Sequence, residues 1–435
     1  MKNYVYKCFN CDSSLSSDQV EQEKIYLCPK CGRAEKNQPL KGVLTIEYNY
    51  DELKKKLSRD EFLKLSPGKF WLYPDLWPVS FQNFSDNQLN KLALPADQLL
   101  KYTIDGKDIW LLDETRNPTL SYKDRATSLV VLKAIEMGIS ELAAASTGNA
   151  GSSLAGICAR FKLIARIYVP KNIPDTKCIQ IEAYGAKLAI VDGDYDKAFA
   201  VCLEDSKKYK WYNRNTAYNP LTIEGKKSAA NDIFIYTKGN VPDVIFIPVG
   251  DGVIISGIYK GIKELLALGW INKLPKLIAI QSTGSDAMVR YLETNKFEYK
   301  PAHTIADSIS AGAPRNPYMT ADAVKESNGI SIAITDEEIL SAQKEFIKQT
   351  GILCEPSSAS VYAAYKKIVE ENKIDPSENI LFLLAGNGSC MWRGGLLPDM
   401  NIYTLLAAGF YLFQILQYLL FIRYVQSSLF FFIKG

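Results

Sequence analysis

The sequence predicts an α/β protein built from more than one folding unit, and three observations carry that expectation. From about residue 108 onward, short apolar runs alternate with longer amphipathic stretches. Several of those runs empty directly into Gly-rich turns, which is where open α/β sheets place their ligands. The third observation is size: 435 residues, 47% apolar and 23% charged, can bury a large core. Single cores usually stop growing at about 250–300 residues, so two or more units are expected.

Taken in chain order, residues 1–40 open with CFNC, sixteen intervening residues, then CPKCG. Each CxxC turn presents two sulfurs to one ion, so Cys8, Cys11, Cys28 and Cys31 suit tetrahedral thiolate coordination of zinc, with Gly32 relieving the backbone after the second turn. Four protein thiolates leave no coordination position open, which makes such a zinc ribbon structural. Residues 41–115 mix short apolar runs with Trp71, Trp77, Pro67, Pro74 and Pro78 and read as a wrapping segment with little chemistry, ending in a strand at 108–115. Further strands are expected at 141–146, 163–169, 187–192, 243–249, 276–281 and 379–385, with helical stretches such as 153–161, 194–209 and 256–268 between them.

Composition removes several function classes. The formal charge is +3, from 51 Lys+Arg against 48 Asp+Glu, so no polyanion partner is implied and nucleic acid is not expected. There is a single histidine, His303, which excludes metal sites needing two or three imidazoles and leaves proton transfer to Lys, Tyr or a carboxylate. Cys158, Cys178, Cys202, Cys354 and Cys390 sit in apolar surroundings and read as buried small hydrophobes. The N-terminus MKNYVYKCFNCD has no apolar run behind a basic start, so no secretory signal is expected and a reducing, cytoplasmic setting is.

The chemistry lies in a series of turns. NPTLSYKDRA (117–126) sets Lys123 just before a helical run, a position that a solvated lysine could also occupy. STGNAGSS (146–153) follows an apolar strand and opens a helix, so its small residues let backbone N–H groups approach an anion where the helix dipole favours one, and Asn149 adds a side-chain donor. PVGDGVIISGIYKG (248–261) repeats the arrangement without the nucleoside-triphosphate or dinucleotide fingerprint, leaving a smaller phosphate as its ligand. One lysine, two anion loops and almost no histidine together point to pyridoxal phosphate held on a lysine.

Those segments, followed by YNPLTIEGKKSAA, DSISAGAPRN and CEPSSASVYAAY in that order, resemble threonine synthase, a fold type II pyridoxal-phosphate enzyme, over about residues 110–388. The resemblance implies two α/β domains with mostly parallel sheets, the smaller at roughly 140–225 inserted in a catalytic region at 116–395, and a homodimer. It implies that Lys123 is the cofactor-linked lysine and acid/base, that Asn149 meets the cofactor's phenolic oxygen, and that Gly250, Asp251, Gly252 and Val253 hold its phosphate. Ser146, Thr147, Asn215 and Thr216 match positions that bind a phosphoamino-acid substrate, and the implied reaction turns O-phosphohomoserine and water into threonine and phosphate.

Two positions depart from the family pattern. Thr222 stands where an arginine usually clamps the substrate phosphate, and a hydroxyl cannot replace a bidentate cation, so either Arg214 or Lys226 compensates or the substrate differs. Ala385 stands where a threonine usually meets the pyridine nitrogen. These departures keep open another fold type II replacement or dehydration reaction, of the cysteate-synthase or serine/threonine-dehydratase kind, and a catalytically weak cofactor-binding protein. The resemblance stops after Gly388. In the hydrophobic tail at 400–435, residues 400–422 carry no charge and reach the ~20 residues that span hydrocarbon, so membrane contact is one reading. The abrupt change favours the other, a replaced terminal segment.

Overall fold

The computed structural model describes residues 3–171, 175–375 and 377–391, and its fold is that of the unit Met1–Gly388. At its start, β1 (Tyr4–Cys8) lies between β2 (Ser14–Ser16) and β3 (Leu44–Tyr48) in an antiparallel sheet. β1 ends on Cys8, and bridges from Leu27 to Val43 and from Arg33 to Lys41 bring the second cysteine turn beside the approach to β3. The glycines here have no alternative: a Cβ on Gly32 would lie 2.5 Å from the Cys28 carbonyl oxygen, and Gly42, at φ +68°, passes against Gly32.

The ribbon is tied to the rest of the chain through β3. The Tyr48 hydroxyl donates to Glu224 at 2.7 Å, and the Lys260 ammonium donates to the Ile46 carbonyl at 2.6 Å. Lys227 and Lys260 in turn face Glu224 and Glu264, so the buried charges are mutually paired. Beyond β3, Phe62, Phe70, Trp71, Tyr73 and Trp77 join Leu129, Val130 and Val131 of the helix Lys123–Glu136 in one core. The Pro- and Trp-rich stretch therefore contributes aromatic packing area to the helix that begins at Lys123.

Next, β4 (Leu99–Ile104) and β5 (Lys107–Asp113) form an antiparallel pair. The chain then builds a separate, all-parallel sheet of β6 (Glu141–Ala145), β7 (Ile164–Pro170), β8 (Lys187–Val191) and β9 (Tyr212–Asn213), in the order β8-β7-β6-β9. It returns through β10 (Val244–Pro248), β11 (Lys276–Ser282), β12 (Ile330–Ile334) and β13 (Ile380–Leu384) to join the earlier pair. The six-stranded order is β12-β11-β10-β13-β5-β4, parallel except for β4. β10 and β13 are buried at every position, as strands covered on both faces must be, which is why they read as unbroken apolar runs. β4, β9 and β12, like the three strands of the N-terminal sheet, lie outside the strands expected from the sequence. The hydrophobic tail expected at 400–435 lies outside the described residues, and among those described no helix is long and apolar enough to cross a membrane.

One ionic cluster binds these parts together. Arg125 is buried and donates to Glu114 at 2.7 and 3.0 Å, to Asp232 at 2.7 Å and to Ser228 at 3.0 Å. Burial holds the Glu114 carboxyl above its usual range against the pull of Arg125. Removing the guanidinium leaves two buried carboxylates without their cation. Arg125→Met should therefore cost about 3–5 kcal/mol in urea denaturation, and a loss below about 1 kcal/mol would show that water or rearranged donors replace it.

Candidate active site

Lys123 begins its helix at the point where the chain is most constrained. Leu120 takes φ +67°, a left-handed conformation that costs a branched residue about 1–2 kcal/mol. The turn is held from outside: Tyr122 N–H donates to the Ala385 carbonyl at 2.8 Å and Asn387 N–H to the Leu120 carbonyl at 3.0 Å. Asp124, next along, accepts from the Thr119 amide at 2.7 Å and from the Ser153 hydroxyl at 2.7 Å, and burial raises its pKa to about 6. Both neighbours of Lys123 are thus fixed, and its side chain faces open space.

That space consists of two cavities that share Lys123. The outer one, of about 390 Å³, is lined by Ser146, Thr147, Asn149, Arg214, Asn215, Thr216, Asp251 and Arg315 among others. The inner one, of about 50 Å³, is lined by Gly250, Asp251, Gly252, Val253, Lys226, Glu355 and Ala385, again with Lys123 and Thr216. Every site residue expected from the sequence, the cysteines apart, lines one or both. The outer cavity lies between the smaller sheet, which supplies the loop after β6, and the larger, which supplies Asp251.

The loops are shaped for close approach. Gly252 has φ +81° and caps the helix Val253–Ala267, and a Cβ there would lie 2.0 Å from the Thr320 hydroxyl. A Cβ on Gly250 would lie 2.9 Å from the Ile309 backbone. A 15-residue helix therefore presents its free N–H groups to a turn that only glycine can make. In the smaller sheet, Asn215 accepts the Ala145 amide at 2.7 Å, so its carboxamide aligns the Ser146–Thr147 loop. Asn149 donates to Glu355 at 3.0 Å and to Ser308 at 3.1 Å, joining that loop to the larger sheet.

Glu355 lies within CEPSSASVYAAY, where the sequence alone assigns it no role. It is buried, accepts from Asn149, Ser308 and Ser357, and sits against Gly386, whose added Cβ would meet its carboxylate at 2.7 Å. Burial lowers the Lys123 pKa; Glu355 and Asp251 pull it up, while Arg214 pushes it down. Arg214 is itself fully buried, its Nε donates to Thr127 at 3.2 Å, and both terminal nitrogens lack a partner. Thr222 takes no part: its hydroxyl donates to the Asn219 carbonyl at 2.7 Å and accepts the Ala217 amide at 3.0 Å, closing its own turn.

Residues 94–386 match the family model described as pyridoxal-phosphate dependent enzyme. Threonine synthase of Methanocaldococcus jannaschii is 34% identical over 391 residues, 88% of this chain and 92% of that one. The chain belongs to the threonine synthase family. Threonine synthase of Methanosarcina acetivorans is 32% identical, over 88% of this chain and 91% of its own. This threonine synthase family member is a pyridoxal-phosphate-dependent lyase. Its fold type II architecture is shared with maize serine racemase, at a TM-score of 0.59 and 20% identity over 73% of this chain and 93% of that one. The cofactor that the family implies suits the residues present, since an amine, a glycine-only anion cradle and buried cations surround one connected space.

Away from this site, the Sγ atoms of Cys8, Cys11, Cys28 and Cys31 all lie within 4.8 Å of one another, with Cys8 to Cys31 at 3.4 Å and Cys11 to Cys28 at 3.7 Å. Tetrahedral zinc–thiolate geometry separates its sulfurs by about 3.8 Å, so the four are compatible with one metal ion.

Because Glu355 offsets part of the burial effect on Lys123, Glu355→Gln should lower the amine's pKa further. In cofactor-free protein, Lys123 should then be acylated at lower pH than in the parent, as read by peptide-resolved mass spectrometry. An unchanged or raised midpoint would remove Glu355 from the electrostatics of the site.

Proposed function

We propose that this enzyme converts O-phosphohomoserine and water to L-threonine and phosphate. The observation that carries the reading is the unpartnered Arg214 guanidinium in the wall of the outer cavity, beside the loop Ser146–Thr147. A buried cation with two idle donor nitrogens is costly unless a ligand satisfies it, and an anionic substrate group does so. Arg214 thus takes the part that Thr222 cannot, with its hydroxyl committed to the 217–222 turn. The names of the relatives are consistent with this substrate class.

When bound, pyridoxal phosphate supplies an electron sink for the carbon bearing the substrate's amine. Its phosphate is assigned to Gly250, Asp251, Gly252 and Val253, and its phenolic oxygen to the neighbourhood of Asn149. Lys123, kept more readily neutral by burial and by Arg214, takes the Cα proton and then shifts a proton at Cβ, so one flexible amine serves adjacent carbons. Phosphate departs from Cγ, which takes up a proton to become the methyl group; water then adds its hydroxyl at Cβ, its proton leaving with phosphate, and a proton returns to Cα. Ser146 and Thr147 hold the substrate's anionic groups, Asn215 acts by fixing their loop, and Thr216 faces both cavities. A second reading, replacement on a shorter phosphoamino acid, is favoured by the absence of the family's arginine at Thr222.

Addition of O-phosphohomoserine to the purified enzyme should release phosphate and yield threonine. Arg214→Met should raise KM about 10- to 100-fold, as expected for one lost charge-assisted contact of about 1.5–3 kcal/mol. Release of phosphate from O-phosphoserine with none from O-phosphohomoserine would establish the second reading.

The cysteine cluster is assigned a structural zinc, since four thiolates leave no position for substrate. Elemental analysis should find one zinc per chain, lost in Cys28→Ser; absence of zinc from undenatured protein would refute it.

A further inference from the structure

Lys226 is a buried cation that the reaction above does not use. It closes the helix Leu221–Lys226 and is 1% exposed. Its neighbour Lys227 is bonded to Glu264 and to the Leu76 carbonyl, but the Lys226 ammonium has no hydrogen bond or ion pair among the described residues. Only its backbone carbonyl is engaged, by the Tyr122 hydroxyl at 2.7 Å. The side chain crosses the helix Val253–Ala267 just past its first turn, where a Cβ on Gly257 would lie 2.5 Å from the Lys226 Cβ. It reaches the inner cavity, whose wall it shares with Gly250, Asp251, Gly252 and Val253.

The charges around that cavity do not balance without it. A helix N-terminus contributes about half a positive charge, whereas a phosphate monoester carries about −1.5 to −2 near neutral pH. The Asp251 carboxylate belongs to the same wall and adds to the negative side. We propose that Lys226 is a phosphate-binding residue, supplying the positive charge against which the cofactor's phosphate rests in the Gly250–Val253 turn. The proposal builds on the assignment of that turn to the phosphate. It also separates the two candidate cations by cavity, with Arg214 serving the substrate and Lys226 the cofactor. Lys123 and Arg214 lie close enough to act on the Lys226 ammonium, and with burial they hold its pKa well below the usual lysine range, an effect that a dianion bound in the turn offsets.

The test titrates the cofactor-free full chain with pyridoxal 5′-phosphate and, separately, with pyridoxal, which has the same aldehyde and no phosphate. Lys226→Met should weaken binding of the phosphate ester about 10- to 100-fold and that of pyridoxal less than about threefold, while Lys226→Arg should retain the preference. Equal weakening of both aldehydes, or of neither, overturns the proposal. If Lys226→Met does not fold, the parent chain decides the matter: inorganic phosphate should shield Lys226 from amine acylation, and acylation unaffected by phosphate overturns it. Inorganic phosphate should also displace pyridoxal 5′-phosphate from the parent while leaving pyridoxal bound. Failure of that competition would instead overturn the assignment of the turn on which the proposal builds.

Discussion

The Arg125 guanidinium is the constraint on which the site depends. A buried cation is costly unless its donors find acceptors, and each Arg125 nitrogen finds one, so the segments that provide those acceptors lose their freedom together. Glu114 comes from the turn after β5, Asp232 from the helix Ser228–Tyr236, and Gln98 from the residue before β4. Asp232 also accepts the Gly68 amide at 2.9 Å, which brings in the aromatic N-terminal stretch. Arg125 lies two residues beyond Lys123 on the same helix, so whatever fixes the one fixes the backbone of the other. The left-handed strain at Leu120 persists because the network downstream and the β13 turn alongside leave the chain no relaxed alternative.

The second organising feature is positive charge gathered around one small amine. Arg214 lies close enough to depress both the Lys123 and the Lys226 ammonium, and Lys123 depresses that of Lys226, while Asp251 and Glu355 pull the other way on Lys123. An amine in that balance trades a proton near neutrality more readily than a solvated lysine does. Two cavities meet at Lys123, the outer one walled also by Arg214 and the inner one by Lys226.

Much of this was legible in the sequence, for identifiable reasons. Strands buried on both faces, such as β10 and β13, appear as uninterrupted apolar runs, and the glycine turns that follow a strand mark anion cradles. Three strands of the two larger sheets that escaped notice lack that signature. β12 is mostly half-buried, β9 is two residues long, and β4 alternates exposed and buried positions on the open edge of its sheet. Among site residues, Glu355 and the idle state of Arg214 and Lys226 were hidden because spacing along a chain carries no information on which polar groups are left without partners. Asn215, which the resemblance matches to a substrate-binding position, lines the outer cavity and also accepts the Ala145 amide, a contact that spacing could not show. Thr222, which departs from the family pattern in sequence, spends its hydroxyl on its own turn, a commitment that only the structure displays.

The position of β13 has a consequence for how such a chain matures on the ribosome. It is the last of the described strands in sequence, yet it lies between β5 and β10 in the interior of the six-stranded sheet, and its following turn grips the backbone on either side of Ser121. Synthesis runs from the N-terminus at about 5–20 residues per second, so β4, β5 and the lysine that follows them wait for more than two hundred residues before their neighbour exists. During that interval the edges of β5 and β10 that will receive β13 stand exposed and apolar, open to premature pairing with any passing strand. The aromatic stretch that packs on the helix of Lys123 is synthesised before that helix, so the helix can find this partner while the centre of the sheet is still missing.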